Sequence, residues 1–271
     1  MGRISLAVIA MALAAGTAAH AAATRVWVSG HGVDTAGCGA PTAPCRSLQY
    51  AHDHAVGAGG EIDILDPAGY GAITITKAIS IVNDGVGTAG VQATSGSAIT
   101  INAGPSDSIE LRGLELDGVA GAATNGILLT SAGSLLVTNC VIAHFGANGM
   151  QAVASANSLK VTVSNTTASG NGTGFFLNVG QSASAAGVFD HVTAVNNVEA
   201  GIAVYAAETS AASAIIENSV TSNDGTFGVI VNQHDKASLN VLVDNTYTTH
   251  NVDGLSAFGT PVVRLNRSSV F

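Results

Sequence analysis

From about residue 109 to the C-terminus, apolar and polar positions alternate in short runs, and the runs recur. Each copy reads as an apolar strand, an Asn or Asp corner, a short second strand, a Gly and a further apolar strand. Leu136-Val137-Thr138-Asn139 leads to Asn148-Gly149-Met150, and Val161-Thr162-Val163-Ser164-Asn165 leads to Thr173-Gly174-Phe175. Val188-Phe189-Asp190 leads to Ala200-Gly201-Ile202, Ile215-Ile216-Glu217-Asn218 to Phe227-Gly228-Val229, and Val243-Asp244-Asn245 to Asp253-Gly254-Leu255. The residue before each corner pair falls at 137, 163, 188, 216 and 243, in steps of 26, 25, 28 and 27. A period of this length built from short strands predicts a stacked solenoid, in which each coil buries its apolar face only against its neighbours.

The pattern assigns sides to the chain, because successive residues of a strand point to opposite faces. Val137, Val163, Val188, Ile216 and Val243 are expected to face inward before the corner, and Val141, Thr167, Val192, Val220 and Tyr247 after it. Ile127, Met150, Phe175, Ile202, Val229 and Leu255 are expected inward after the glycines, with Leu129, Ala152, Leu177, Val204, Val231 and Ala257 beyond them. The corner column Asn139, Asn165, Asp190, Asn218 and Asn245 is read as a ladder of amides along the axis, since Asn tolerates left-handed backbone.

The N-terminal part differs. Arg3, the apolar stretch of 12 residues from Ile4 to Ala15, and the small residues around Ala19-His20-Ala21 read as a signal peptide over residues 1–23. Residues 24–60 hold a strand at Arg25-Val26-Trp27-Val28, a Gly/Pro loop bracketed by Cys38 and Cys45, and a helix from Ser47 to about Val56 that Gly57 to Gly60 end. Coils then run from 61 to 271, with strands at Glu61-Ile62-Asp63-Ile64-Leu65, Ile73-Thr74-Ile75 and Ile79-Ser80-Ile81-Val82.

The run Cys45-Arg46-Ser47-Leu48-Gln49-Tyr50-Ala51, then Gly60-Glu61-Ile62-Asp63-Ile64, Gly69-Tyr70, and Ile73-Thr74-Ile75-Thr76-Lys77-Ala78-Ile79-Ser80-Ile81 resembles the entry of right-handed parallel β-helix, pectin-lyase-like proteins. With the repeats, the resemblance covers the chain after the signal segment and is nearest to exported bacterial β-helix repeat proteins without assigned function. It implies an all-β, single-stranded right-handed parallel β-helix whose open end is plugged by a short capping α-helix.

Charge narrows the partners. The formal net charge is −9 with only 9 Lys and Arg, so no basic stripe is available for nucleic acid or anionic lipid, and no later stretch is apolar for long enough to span a bilayer. An oxidising, extracellular or periplasmic location fits a Cys38–Cys45 disulfide, with Cys140 left over as a small wall residue. The last coil opens at Val262 and stops at Phe271, which reads as a truncated chain or an end covered by another copy.

Chemistry is sparse. β-helix enzymes acting on uronate glycans stack carboxylates on an outer face, where equivalent positions lie about 4.8 Å apart. The best match is Glu217 over Asp244 with Arg264 nearby, a column two deep. It supports an alternative reading as a polysaccharide lyase or glycoside hydrolase, with calcium implied only for a lyase; otherwise no cofactor and no metal ligands are expected. The other outward surface, after the glycines, carries Gln151, Phe176, Asn178, Tyr205, Asn232 and Phe258, amides beside aromatic rings suited to sugar. The leading reading is an exported protein that binds an extended polysaccharide on this face or serves as a structural surface module. A third is an adhesin or tail-fibre-like segment.

Overall fold

From Asn139 onward two corners of each coil are set by columns of residues with left-handed backbone, and the third turn carries them at Ser182, Thr209 and Asp235. The first corner column is Asn139, Asn165, His191, Asn218, Asn245 and Arg267, with φ of 55°, 47°, 52°, 52°, 45° and 47°. The second is His144, Gly170, Asn196, Asn223 and His250. Between them the chain runs straight, so a coil is three strands joined by tight corners. In one coil these are Ser134–Thr138, Val141–Ala143 and Asn148–Ala154, after which Ser158–Ser164 starts the next. The computed structural model describes residues 23–119, 121–155 and 158–271. The expected signal segment lies, apart from its last residue, outside them.

Among the described residues the strands form three parallel sheets of ten, eight and nine strands, each ordered along one axis. This is the expected right-handed parallel β-helix. The first sheet contains Ser134–Thr138, the second Asn148–Ala154 and the third Val141–Ala143. One contiguous apolar core runs inside all three, from Val26 to Val243. Ile127, Met150, Phe175, Ile202 and Val229 stack in register and are fully buried, as the alternation after the glycines requires. Leu255, on the last second-sheet strand, extends the column and is half-buried. Next to it Leu129, Ala152, Leu177, Val204 and Val231 form the second inward column, with Ala257 exposed at its end.

Two assignments around the corner change. Phe189, not Val188, stacks between Val163 and Ile216, so the inward column is Val137, Val163, Phe189, Ile216 and Val243. Phe189 is fully buried and Val188 is half-buried on the outside. The corner of that coil is therefore His191, and Asp190 belongs one position earlier. With this register the steps are even: 137, 163, 189, 216 and 243 differ by 26, 26, 27 and 27. After the corner, Val141, Thr167, Val220 and Tyr247 face outward, while Cys140, Val192, Ile142, Ala168 and Ala194 are buried. Alternation does not carry through the corner, because the left-handed residue turns the chain and shifts the phase by one. Burial pushes the Cys140 thiol pKa up to about 11, which leaves it an unreactive wall residue.

The N-terminal cap is smaller than the sequence pattern suggests. Ser47 caps an α-turn Leu48–Tyr50 by accepting from the Tyr50 N–H, and the turn widens to a π-turn over Ala51–Ala55. The glycines that were expected to end a helix lie instead in the strand Val56–Ile64, which pairs with Ala23–Val28. The plug also closes a sheet edge. The Gln49 side chain donates to the Thr74 carbonyl and accepts from the Thr74 N–H, satisfying Ile73–Ile75, the first strand of the second sheet. Lys77 donates to the carbonyls of His52 and Val56 at the end of the turn. Cys38 and Cys45 form the expected disulfide, and Cys45 bridges to Val28, tying the loop to the first coil. Among the described residues no helix is long and apolar enough to cross a membrane.

Candidate functional site

The outer face of the second sheet is built from the strands Thr173–Val179, Ala200–Ala206, Phe227–Gln233 and Asp253–Phe258. Their registers place Asn178, Tyr205, Asn232 and Phe258 on successive rungs of one outward column. Gln151, Phe176, Ala203, Ile230 and Ser256 form the column beside it. All six face residues expected from the sequence therefore share one surface. Ala203 and Ile230 are nearly buried although they point away from the core, because Phe176, Tyr205 and Phe227 pack over them. Phe176 and Tyr205 meet edge to face with centroids 4.9 Å apart, and Phe227 and Phe258 at 6.1 Å. Partial burial together with the nearby Glu199 charge holds the Tyr205 hydroxyl's pKa above the ordinary value. The loops that follow these strands frame an open depression of about 290 Å³ lined by Gln181, Ala207, Glu208 and His234.

The first sheet carries the second candidate. Because Asp190 lies one position earlier than the sequence pattern suggests, it stacks directly on Glu217, which stacks on Asp244. The carboxylate column is three deep, not two. Ser164 and Thr138 continue it on one side and Asn266 on the other. Arg264 is not beside Asp244; it pairs in register with Leu242, two positions away along the strand. The cation at the column is Arg267, whose left-handed corner backbone brings Nε to 3.0 Å from Asp244 Oδ1 and a terminal nitrogen to 2.7 Å from Oδ2. That bidentate pair holds the Asp244 carboxyl below its usual pKa. Asp190 Oδ1 accepts from Asn218 at 2.8 Å and lies 2.7 Å from His191 Nδ1. With Asp244 and Asp190 engaged in this way the column does not fit a calcium site, and among the described residues no group of three or more His, Cys, Asp or Glu could hold a metal ion.

The expected corner ladder forms only in part. Asn245 donates to Asn218 at 2.8 Å and Asn218 to Asp190. A longer ladder lies inside the helix, just past the second corner. Asn171 donates to Asn197, Asn197 to Asp224, and the Asp224 backbone N–H to Asn251, all through Oδ1 acceptors at 2.9–3.2 Å. Its signal was present in the sequence, since 171, 197, 224 and 251 keep the coil's own steps of 26, 27 and 27. Asp224 is 2% exposed, and burial raises its pKa to about 6.

On the third sheet, Gln92, Glu115 and Asp117 line a shallow concavity of about 370 Å³, with Asp117 3.2 Å from His144 Nδ1. It holds neither stacked aromatics nor a carboxylate column.

Residues 69–246 match the family model described as "Right handed beta helix region". The chain belongs to this right-handed β-helix family. Among solved structures it is similar to pectate lyase Pel9A, with 14% identity, a TM-score of 0.57, and 92% of this chain and 79% of that chain covered. The periplasmic alginate epimerase AlgG also aligns, with 10% identity and a TM-score of 0.36, over 78% of this chain and 75% of that one. No curated protein sequence matches the chain significantly. At these identities the first likeness concerns the β-helix fold alone, and function has to be argued from the surface.

Proposed function

We propose that this β-helix protein is exported and binds an extended polysaccharide along the outer face of its second sheet. The column Asn178–Tyr205–Asn232–Phe258, floored by Ala203 and Ile230 and flanked by Phe176, is the observation that carries this reading. Sugar rings need an apolar surface for their C–H faces and directional donors and acceptors for their hydroxyls, and a half-buried Tyr205 and an exposed Phe258 interleaved with amides offer both. The Cys38–Cys45 disulfide supports an oxidising, exported setting. Affinity electrophoresis through gels loaded with soluble polysaccharides tests the reading. Retardation of the wild type that disappears in the Phe176→Ala/Tyr205→Ala variant supports it; unretarded migration with every polysaccharide contradicts it.

The Asp190–Glu217–Asp244 column favours a second reading, a lyase or hydrolase of glycans acting on the first sheet. A hydrolase needs one carboxyl to donate a proton while another acts as base or nucleophile, and a lyase needs a base that removes a proton next to a uronate carboxylate. Arg267, rather than Arg264, is the cation beside such a centre. Release of reducing ends, or of unsaturated products, abolished by Glu217→Gln would establish this reading; its absence on pectic, alginate and glucuronan substrates removes it.

A further inference from the structure

The chemistry of the second-sheet face also selects among polysaccharides, provided that the binding reading above holds. We propose that its ligand is an uncharged glycan with an extended, ribbon-like chain, and not a polyuronate.

Charge is the first argument. The outward columns of the strands from Asn148–Ala154 to Asp253–Phe258 contain no Lys or Arg, and the charged member is Asp253 on the last rung. Glu199 adds a second negative charge close enough to raise the Tyr205 pKa. A polyuronate brings one carboxylate per sugar. On this face each would lose water without gaining a cationic partner, in the field of a chain whose formal charge is −9. Of the other cations, Arg25, Arg112 and Arg267 lie on the first sheet or at its corner, paired to acidic side chains there, and Lys236 sits in the loop after Phe227–Gln233 next to Asp235.

Spacing is the second argument. Along the helix axis the column reads amide, ring, amide, ring: Asn178, Tyr205, Asn232, Phe258. One rung is about 4.8 Å, so like side chains recur at about 9.6 Å. A ribbon-like chain, in which alternate sugars are turned over, presents the same ring face every second sugar and can use such an alternation. A coiled chain presents its sugars around a helix and cannot keep in step with a straight column. The apolar floor under Phe176 and Tyr205 is continuous over two rungs, Ala203 and Ile230, and suits a flat ring face.

Isothermal titration of the full chain with hexasaccharides tests the assignment. Cellohexaose and xylohexaose are the neutral ribbon-like probes, maltohexaose the neutral coiled one, and hexagalacturonate and hexaguluronate the anionic ones. At least one neutral ribbon is expected to bind more tightly than every other probe by about tenfold or more, and Asn232→Lys is expected to narrow the gap to hexagalacturonate. Uronate or maltohexaose binding as tight as the neutral ribbons, and lost in Tyr205→Ala, would overturn this inference while leaving the binding reading intact. Failure of every probe at millimolar concentration, with wild-type circular dichroism, would remove the binding reading and this inference with it.

Discussion

Asp224 Oδ1 accepts two hydrogen bonds from Asn197, from its backbone N–H and from Nδ2, each 2.9 Å long. The other oxygen, Oδ2, is buried without a hydrogen-bond partner among the described residues. The ladder explains the imbalance. At the equivalent atom Asn197 carries an N–H₂, which donates to the Ala168 carbonyl and to the next rung. By the ladder's own pattern this position calls for a donor, which a carboxylate cannot be and the neutral acid can.

The pH dependence follows. The folded-state pKa of Asp224 is raised to about 6, above the usual value of about 3.9 for an unfolded chain. The folded protein therefore holds this proton more tightly, and stability falls as pH rises between those two values and is level above them. The loss is on the order of 2–3 kcal/mol. Asp224→Asn restores the N–H₂ and should remove the loss. In denaturant titrations the variant is expected to exceed the wild type above pH about 6 and to converge on it towards pH about 4. A wild-type stability that rises across that window would contradict the ladder argument.

Gly201 lies against the same carboxyl. A Cβ there would come within 2.6 Å of Asp224 Oδ2 and 2.8 Å of the Gly228 carbonyl. Gly201→Ala is expected to destabilise by about 1–3 kcal/mol, since backbone on one side and a packed ladder on the other leave little room to relax. Thermal or chemical unfolding measures it. Gly69→Ala, where nothing lies within 4 Å of the added Cβ, serves as the control and should be close to neutral.

The register at the third corner has its own test. Phe189 is fully buried against Phe175, with ring centroids 6.0 Å apart, while Val188 faces outward. Phe189→Ala should cost about 3–5 kcal/mol, and Val188→Ala less than about 1 kcal/mol. The reverse ranking would restore the register first read from the sequence.

That reading was sound where one chemical requirement acted alone. After each glycine the chain is an uninterrupted strand, so alternation placed Ile127 through Val229 correctly, and the six face residues with them. It failed where the backbone turns. Asp190 reads as a corner because Asp substitutes for Asn at many turns, but the left-handed residue is the next one, His191, a type that also tolerates this conformation, as His144 and His250 do at the second corner. The slip moved Phe189 out of the core and hid the third carboxylate of the column. Carrying alternation through the corner sent Tyr247 and Val220 inward when both are exposed. The inner ladder is hard to see in the sequence because Asn171, Asn197, Asp224 and Asn251 are polar, and polar residues near a turn are ordinarily solvated. Strand spacing points to Arg264 rather than Arg267, because it does not convey the reach of a long side chain at a corner.

Binding by the second-sheet face, rather than the first, is the central claim, and paired dissociation constants test it most directly. The same polysaccharide should be titrated into the wild type, Tyr205→Ala and Glu217→Gln. Tyr205→Ala is expected to weaken binding by about tenfold through the lost ring contact, with Glu217→Gln unchanged. Unchanged binding in Tyr205→Ala together with a loss in Glu217→Gln would move the site to the carboxylate column and contradict the assignment.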